Sequence, residues 1–409
     1  MHRILAYAAL DDVRMVCASP VMSFIMCAHV LSGSYENANF ARRRTVRQTL
    51  YVNRTVHRHF KYIIIGMRVF AYFVVRFRLA VLALSCATAV CVGAQTTAVV
   101  TRQVHFRGEV PPGNYSGITH LRGSLYALAD DKAPSDGFRL VDIRVDSITG
   151  SIQSVVDKGY VASDKYGNRD AEGVAYVPVR GTLLVVGEAD SRVVEYAEDG
   201  KATGRELSLV PGVGNGGYES LAWDARRGLL WTCTESPLAA DAAASFTGGM
   251  PGGLIRLQAF DDGLSRVATW TYVTDRPESD ASRALNYAFG VSELLPSDTA
   301  LLVLEREAFV PKKKIGAWVT NKLYEVRAAD MFAADGKASH AYADKALPKR
   351  LLCRWHTKLT LTARSFANYE GMCWGPVLAD GSRTIILVAD SQNQAHGVLR
   401  DWFTTVVVR

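Results

Sequence analysis

Acidic residues recur at two equivalent places in a repeated hairpin of this 409-residue chain. Between Gly217 and Leu238, Glu219 precedes one apolar strand pattern, and Glu235 closes the next one after a turn at 224–228. Hydrophobic and aromatic runs on either side of such a turn predict a β-hairpin. Carboxylates at the ends of hairpins can bind hard cations through oxygen or take part in proton transfer.

The same association of acids with strands is found along the rest of the chain. Glutamate begins three predicted first strands, and an acid ends five predicted second strands. The first set is Glu172, Glu219 and Glu370, and the second set is Asp130, Glu188, Glu235, Glu305 and Asp390. If the paired strands are antiparallel, the start of one and the end of the other share a rim. About eight carboxylates would then surround one opening.

A rim of this kind is compatible with metal-assisted hydrolysis. Calcium that bridges the acids and an anionic substrate would support phosphomonoester chemistry, and basic side chains could neutralise the rim or hold a phosphate. We predict catalytic roles for Glu219, Glu235, Glu305 and Arg306, and metal-binding roles for Asp130, Glu172, Glu188, Glu370 and Asp390. We predict substrate-binding roles for Arg139, Arg169 and Lys312. The alternative is that the acids make blade-to-blade hydrogen bonds and recur because the structural unit recurs.

The elements that must position these residues are β-strands. From residue 115 onward the chain reads as five successive units of up to four strands each, without regular helices. Such repetition predicts an all-β fold, a β-propeller with five four-stranded blades, and the long fourth unit leaves room for a sixth. The last unit offers three clear strands, and a separate N-terminal strand lies at 98–106. We expect that strand to close the last blade and remove the exposed edge.

Four motifs carry a resemblance to a known family. YESLAW…LLWTCTESPL, DAEGVAY…LLVVGE, LLVLERE and NYEGMCW…LVADSQN occur in separate units of the chain. With these motifs, residues 115–409 resemble the "esterase-like activity of phytase" family, also called phytase-like. The resemblance implies an exported β-propeller with a phosphoesterase or esterase role. The first unit departs from the pattern, because Ser116 and Gly117 stand where other units have an acid.

The N-terminal region has a different character from the rest of the chain. Residues 67–94 combine a basic start, an apolar run and a Val92-Gly93-Ala94 cleavage site, as in a secretory signal peptide. The apolar run of about 16 residues is short for a transmembrane anchor, the competing interpretation. We therefore expect translation to start at Met67, residues 1–66 to be a mis-assigned extension, and the domain 95–409 to be periplasmic or secreted, with no membrane association after cleavage.

Charge and cysteine content restrict the partners. The net charge of +7 comes from residues 1–94, because residues 95–409 hold 35 basic and 37 acidic side chains. That balance argues against nucleic-acid binding.

Cys233, Cys353 and Cys373 have no metal-ligand spacing, and Cys233 and Cys373 lie in apolar strand patterns typical of buried thiols. We expect a monomer that acts on a small phosphate ester or another ester.

Other catalytic signatures are missing from the sequence. No G-x-S-x-G nucleophile elbow occurs, and the G-x-G-x-x-G at 212–217 leads into a strand rather than a helix. Two functions therefore stay open: a metal-assisted ester hydrolase, and a non-catalytic propeller that binds a ligand or protein.

Overall fold

The structure, a computed structural model, describes residues 96–247, 252–313, 315–395 and 398–409. The expected extension 1–66 and signal peptide 67–94 lie outside the described residues. Over the described ranges, the chain has no helix with the length and apolar character needed to cross a membrane.

The described residues form twenty β-strands in five antiparallel four-stranded sheets, and each sheet is one blade. Blade 1 consists of β2 (Tyr115–Arg122), β3 (Leu125–Asp130), β4 (Ser135–Val145) and β5 (Ile152–Gly167). Blade 2 consists of β6 (Ala171–Val177), β7 (Thr182–Gly187), β8 (Arg192–Ala197) and β9 (Ala202–Ser208). Blade 3 consists of β10 (Tyr218–Asp224), β11 (Leu229–Thr234), β12 (Leu254–Phe260) and β13 (Arg266–Val273).

The remaining two blades complete the ring. Blade 4 consists of β14 (Ala284–Pro296), β15 (Ala300–Pro311), β16 (Ala317–Arg327) and β17 (Arg350–Leu359). Blade 5 consists of β18 (Asn368–Val377), β19 (Arg383–Asp390), β20 (Phe403–Val408) and β1 (Ala98–Val100). Helical elements in the described ranges include a 3-10 turn, Ala281–Arg283, and one α-helical turn, α1 (Ala328–Met331). The predicted five-bladed propeller is confirmed, and the long fourth unit is a single blade with long strands.

The N-terminal strand closes the ring as the sequence predicts. β1 pairs antiparallel with β20, with Ala98 opposite Val408 and Val100 opposite Val406. The last blade is thus built from both ends of the domain, which leaves β20 with no free edge. The regular strand is shorter than expected and ends at Val100, beyond which Val104 forms an isolated antiparallel bridge with Phe403.

Packing between blades explains why the strands read as apolar runs rather than as alternating patterns. β11 is buried along its whole length, since neighbouring blades cover both faces of the sheet. On one of these faces Trp231 stacks on Trp270 with ring centroids 5.2 Å apart. Phe332, which follows α1, packs edge-on against both indoles. The short insertion in blade 4 therefore helps to seal the interface between blades 3 and 4.

Candidate functional site

Each blade carries a β-bulge at the same place in its first strand. In blade 3, Tyr218 pairs with Thr234 and Ser220 pairs with Cys233, so that Glu219 is the extra residue. The other four blades skip one residue in the same way. Bulges of this type re-aim a side chain out of the regular pleat. We call these five bulged residues the first-strand ring: Ser116, Glu172, Glu219, Ser292 and Glu370.

The second strand of each blade supplies another set of equivalent positions, which lie opposite the bulge of the first strand. In blade 3, Thr234 pairs with Tyr218, the residue just before the bulge, and the next residue after Thr234 is Glu235. The other four blades have an equivalent residue at this position. Glu235 donates its backbone N–H to Gly217 O at 2.7 Å, and Glu188 donates to Asp170 O at 2.8 Å. We call this set the second-strand ring: Asp131, Glu188, Glu235, Arg306 and Asp390.

The carboxylates of the two rings converge at one mouth of the propeller. Oxygen atoms of Glu172, Glu219 and Glu370 lie within 4.8 Å of one another, as do oxygen atoms of Asp131, Asp170 and Glu172. The two rings therefore supply seven carboxylates and one guanidinium, where the sequence predicts about eight carboxylates.

Arg306 is the counter-ion of this cluster. Its Nη2 atom lies 3.0 Å from Glu235, 3.1 Å from Glu370 and 3.9 Å from Glu219. Nη1 donates to Asn368 Oδ1 at 2.7 Å, and Asn368 in turn donates to Glu370. The Arg306 side chain is only 4% exposed, so the guanidinium is a fixed part of the cluster. It comes from blade 4, where the other blades have an acid.

Burial perturbs the acids of this mouth strongly. Desolvation raises the pKa of Glu172, Glu219 and Glu370 well above the usual glutamate value, and neighbouring carboxylates raise these values further. Burial, followed by the charge of Asp390, raises the pKa of Asp131 to about 7. These acids are therefore harder to deprotonate than solvent-exposed carboxyl groups.

Not every oxygen of the cluster has a partner. Asp131 Oδ2 lies 3.1 Å from Lys132 Nζ, which also contacts Asp170 at 2.7 Å. Asp131 Oδ1, by contrast, is buried without a hydrogen-bond donor. Glu235 Oε1 contacts Arg306 Nη2 but lacks hydrogen-bond geometry with it. Buried carboxylate oxygens without a donor are expensive to maintain and are typical of ligand-binding positions.

Asp130 and Glu305, which the sequence analysis predicts at the rim, each precede a residue of the second-strand ring by one position. Asp130 Oδ1 accepts the backbone N–H groups of Asn114 and Lys132. Glu305 accepts from Tyr272 Oη and Lys349 Nζ, both at 2.5 Å, and from the backbone N–H of Asp275 at 3.0 Å. The adjacent residues Asp131 and Arg306 occupy the rim positions instead.

The three basic residues predicted to hold substrate are not gathered at the mouth. Arg139 pairs with Asp157 at 3.0 Å. Arg169 is buried and holds Asp136 at 2.6 Å and Asp190 at 2.9 Å, which ties blades 1 and 2 together. Lys312 is exposed in the turn after β15, six residues beyond Arg306, or about 20 Å along an extended strand. Of the predicted basic residues, Arg306 alone contacts the acids of the two rings.

Glu293 is a buried acid that the sequence analysis missed. It follows the bulge of blade 4, where the other blades have Gly117, Gly173, Ser220 and Gly371. Those small residues let neighbouring first strands approach closely, since a Cβ on Gly173 would lie 2.8 Å from Leu221. Glu293 accepts the N–H of Leu294 at 2.9 Å, its Oε2 has no partner, and it is 1% exposed. Burial raises its pKa well above normal. The sequence does contain a signal for this difference. Blade 4 has V-S-E-L at 291–294 where blade 2 has A-E-G-V at 171–174, so the acid comes one residue later in blade 4.

Comparisons with solved structures find many chains of low similarity. A GH43 β-xylosidase/α-arabinofuranosidase from a compost microbial metagenome aligns over 75% of this chain and 95% of its own, with 11% identity and a TM-score of 0.39. A member of the DUF4221 family from Bacteroides vulgatus aligns over 77% and 98%, with 8% identity and a TM-score of 0.36. Similarity at this level says nothing about activity. No curated protein matches the chain.

A protein-family model gives the specific match. The model described as "Esterase-like activity of phytase" matches residues 110–392, which include blades 1 to 4, two strands of blade 5 and every residue of the two rings. The match extends over more than half of the chain and agrees with the propeller fold. This chain therefore belongs to the Phytase-like family.

Proposed function

We propose that the protein is an exported, metal-assisted hydrolase of phosphate esters or related esters, and that its active centre is the acidic mouth formed by the two rings. Family membership supports a hydrolase-like propeller. The observation that carries the finer proposal is the convergence of seven carboxylates from four of the blades, with the buried Asp131 Oδ1 lacking any donor.

The donor set fits a hard divalent cation, and calcium fits best. Calcium takes six to eight oxygen ligands at about 2.3–2.6 Å, so oxygens that share one ion lie roughly 3–5 Å apart. The triad of Glu172, Glu219 and Glu370 has this spacing. All its donors are oxygens, and the acids are preformed by the bulged strands. A calcium ion bound here would supply a Lewis acid that polarises the phosphoryl or carbonyl oxygen of an ester.

The side chains of the mouth have separate tasks in this proposal. Glu235 is the candidate general base, because it lies in the wall of an open cavity and burial raises its pKa. Arg306 holds Glu235 and Glu370 in place and offsets their charge. Glu172, Glu188, Glu219 and Asp390 hold the cation, with Asp131 in place of Asp130.

Calcium binding and hydrolysis test the proposal directly. Calorimetry should detect calcium binding to the purified domain, and 4-nitrophenyl phosphate or 4-nitrophenyl acetate should be hydrolysed faster with calcium than with a chelator. Glu219→Gln and Glu235→Gln should each weaken calcium binding about tenfold or more, because charge count sets affinity, with the melting temperature nearly unchanged.

Glu305→Gln is the matched control. Glu305 is equally buried but bonds Lys349 and Tyr272 away from the mouth, so this variant should lose stability and keep its calcium affinity. A large loss of stability in Glu219→Gln and Glu235→Gln, with calcium affinity retained, would instead support a structural role for the acids.

A non-catalytic propeller that binds a ligand is the second candidate. It is favoured by the arrangement of the mouth, where Arg306 already neutralises part of the cluster. In addition, no serine or cysteine of the described residues is hydrogen-bonded to a histidine. Calcium binding without turnover of either ester class would select this candidate.

Location and assembly follow from the same proposal. We infer that the domain is periplasmic or secreted and that it is a monomer. We further infer that it binds small molecules and associates with neither membranes nor nucleic acid. Cell fractionation and light scattering of the native protein test these points, and a cytoplasmic or oligomeric protein would contradict them.

A further inference from the structure

A cavity of about 340 Å³ opens beside Glu235, between blades 3 and 4. Its walls come from the strand ends that build the mouth and from the loop after β11. The volume is within the range of small-molecule sites and suits one ring with a substituent. The residues that matter to its chemistry are Glu235, Pro237, Phe246, Ile255, Tyr287 and Phe289.

Aromatic side chains form one wall of this cavity in a fixed arrangement. Tyr287 and Phe289 lie two residues apart on β14, on the same face, and stack with ring centroids 6.5 Å apart. Tyr287 donates its hydroxyl to Glu307 Oε1 at 3.0 Å, which prevents the ring from turning away. Phe246 packs against Phe289 with ring centroids 6.2 Å apart and is about half exposed. Half-exposed aromatic rings that line a concave surface are typical of recognition sites for planar groups.

The charge of the cavity restricts what can bind there. Among the described residues that line it, Glu235 is the single charged group, and the wall contains no lysine or arginine. A leaving group with several phosphates would meet a carboxylate and apolar rings with no counter-ion. A neutral planar group would meet no such penalty and would bury apolar surface against the rings.

Backbone geometry keeps this cavity joined to the mouth. Gly290 passes so close to Glu235 that an added Cβ would lie 2.0 Å from the Glu235 carbonyl oxygen. The N–H of Val291 donates to the same oxygen at 3.2 Å. Phe289 precedes these two residues on the same strand, so a group bound against the aromatic wall lies beside Glu235.

We propose that this cavity binds the ring of a monoester substrate, so that the enzyme prefers esters of phenols or similar planar alcohols over polyanionic polyol phosphates. The hydrolytic part of this inference rests on the proposed function, but binding of the ring does not. The ester end points towards Glu235 and the acids of the mouth, and the ring lies against Tyr287 and Phe289.

Steady-state kinetics with three probes test the preference. Wild-type protein should hydrolyse 4-nitrophenyl phosphate with a lower KM than glycerol 2-phosphate and should not hydrolyse inositol hexakisphosphate. Phe289→Leu keeps apolar volume but removes the ring, and it should raise KM for the aryl ester about 3–10-fold, as one lost aromatic contact predicts. KM for glycerol 2-phosphate should stay unchanged.

Tyr176→Ala is the matched control. Tyr176 is also a half-buried tyrosine on the first strand of a blade, and its hydroxyl contacts Glu198 at 3.2 Å outside the cavity. It should leave KM for both esters unchanged, whereas Tyr287→Ala should act like Phe289→Leu. Equal effects of Phe289→Leu on the aryl and glycerol esters would overturn the preference.

A binding measurement separates this inference from the proposed function. Saturation-transfer NMR with phenyl phosphate should show transfer to the ring protons in wild type and in Tyr176→Ala, and a clear loss in Phe289→Leu. If no ester is hydrolysed but this pattern holds, the hydrolase proposal fails and the ring site stands. If esters are hydrolysed and transfer is the same in all three proteins, the ring site is overturned and the hydrolase proposal stands.

Discussion

Replacement of Arg306 by glutamine should destabilise the propeller strongly and in a pH-dependent way. Arg306 is the only cation among the described residues that contacts Glu219, Glu235 and Glu370 together. Removal of one partner from a buried ion pair costs about 3–5 kcal/mol, because the remaining charge is left without compensation. The unit Ala94–Arg409 has an unfolding entropy of about 0.65 kcal/mol/K at the usual value per residue. The expected fall in melting temperature is therefore about 5–8 °C.

The loss of stability in Arg306→Gln should also depend on pH. Without the guanidinium, the pKa values of Glu235 and Glu370 rise further above those of the unfolded chain. A carboxyl whose pKa is raised by folding stabilises the folded state at low pH and loses that contribution as pH rises through the raised value. Arg306→Gln should therefore be closest to wild type near pH 5 and furthest from it near pH 8.

Thermal unfolding in a chelating buffer at both pH values measures this difference. Arg139→Gln is the control, because Arg139 forms a single ion pair in which Asp157 keeps 25% of its side-chain surface exposed. That pair is worth about 1 kcal/mol or less, with little dependence on pH. Equal shifts for the two variants, or a loss in Arg306→Gln that is constant between pH 5 and pH 8, would refute the assignment of Arg306 as the counter-ion.

Three further outcomes are expected. In a buffer with a chelator, the melting temperature of wild type should fall between pH 5 and pH 8, because the acids of the mouth lose their protons. These acids include Asp131, whose pKa is raised to about 7. A melting temperature that rises over this range would contradict the raised pKa values. Gly290→Ala should lower stability by about 1–3 kcal/mol, since its Cβ would meet the Glu235 carbonyl oxygen, whereas Gly167→Ala, with open space around the new atom, should be neutral in urea unfolding. Native Cys233 should resist a thiol reagent until the protein unfolds, because burial raises its pKa to about 12; rapid labelling of the native protein would show that the core is open.

The five blades could be predicted from the sequence because each one repeats the same hairpin. Apolar runs such as LLVVG and LLWTCT are strands buried on both faces, and turn residues separate them. Closure by the N-terminal strand was also predictable, since the last unit lacked one strand. These features depend on composition and order along the chain, which the sequence displays directly.

The register of the strands was not predictable in the same way. A single-residue shift moves a side chain to the opposite face of a strand, and every first strand of this propeller contains such a shift at its bulge. The motif LERE offers Glu305, Arg306 and Glu307 in succession. The pairing of Val291 with Glu305 is what places Arg306, rather than its neighbours, at the mouth. The cavity wall was equally hidden, because Phe246 and Phe289 come from different blades.

Blade 4 explains how the mouth can hold so many acids. Five identical blades would place ten carboxylates in the two rings, and their repulsion in a desolvated site would oppose folding. Blade 4 has Ser292 in the first-strand ring and Arg306 in the second, so that the cluster loses two acids and gains one cation.

The cation does not complete the neutralisation. Seven carboxylates against the Arg306 guanidinium and the Lys132 ammonium beside Asp131 leave a deficit of about five charges if every acid ionises. Burial raises the pKa values of the acids at the mouth, which favours protonation of part of the set. Under the proposed function, protons and a calcium ion would therefore compete for the same oxygens. For this reason calcium should bind more tightly as pH rises, over the same range in which the metal-free protein loses stability.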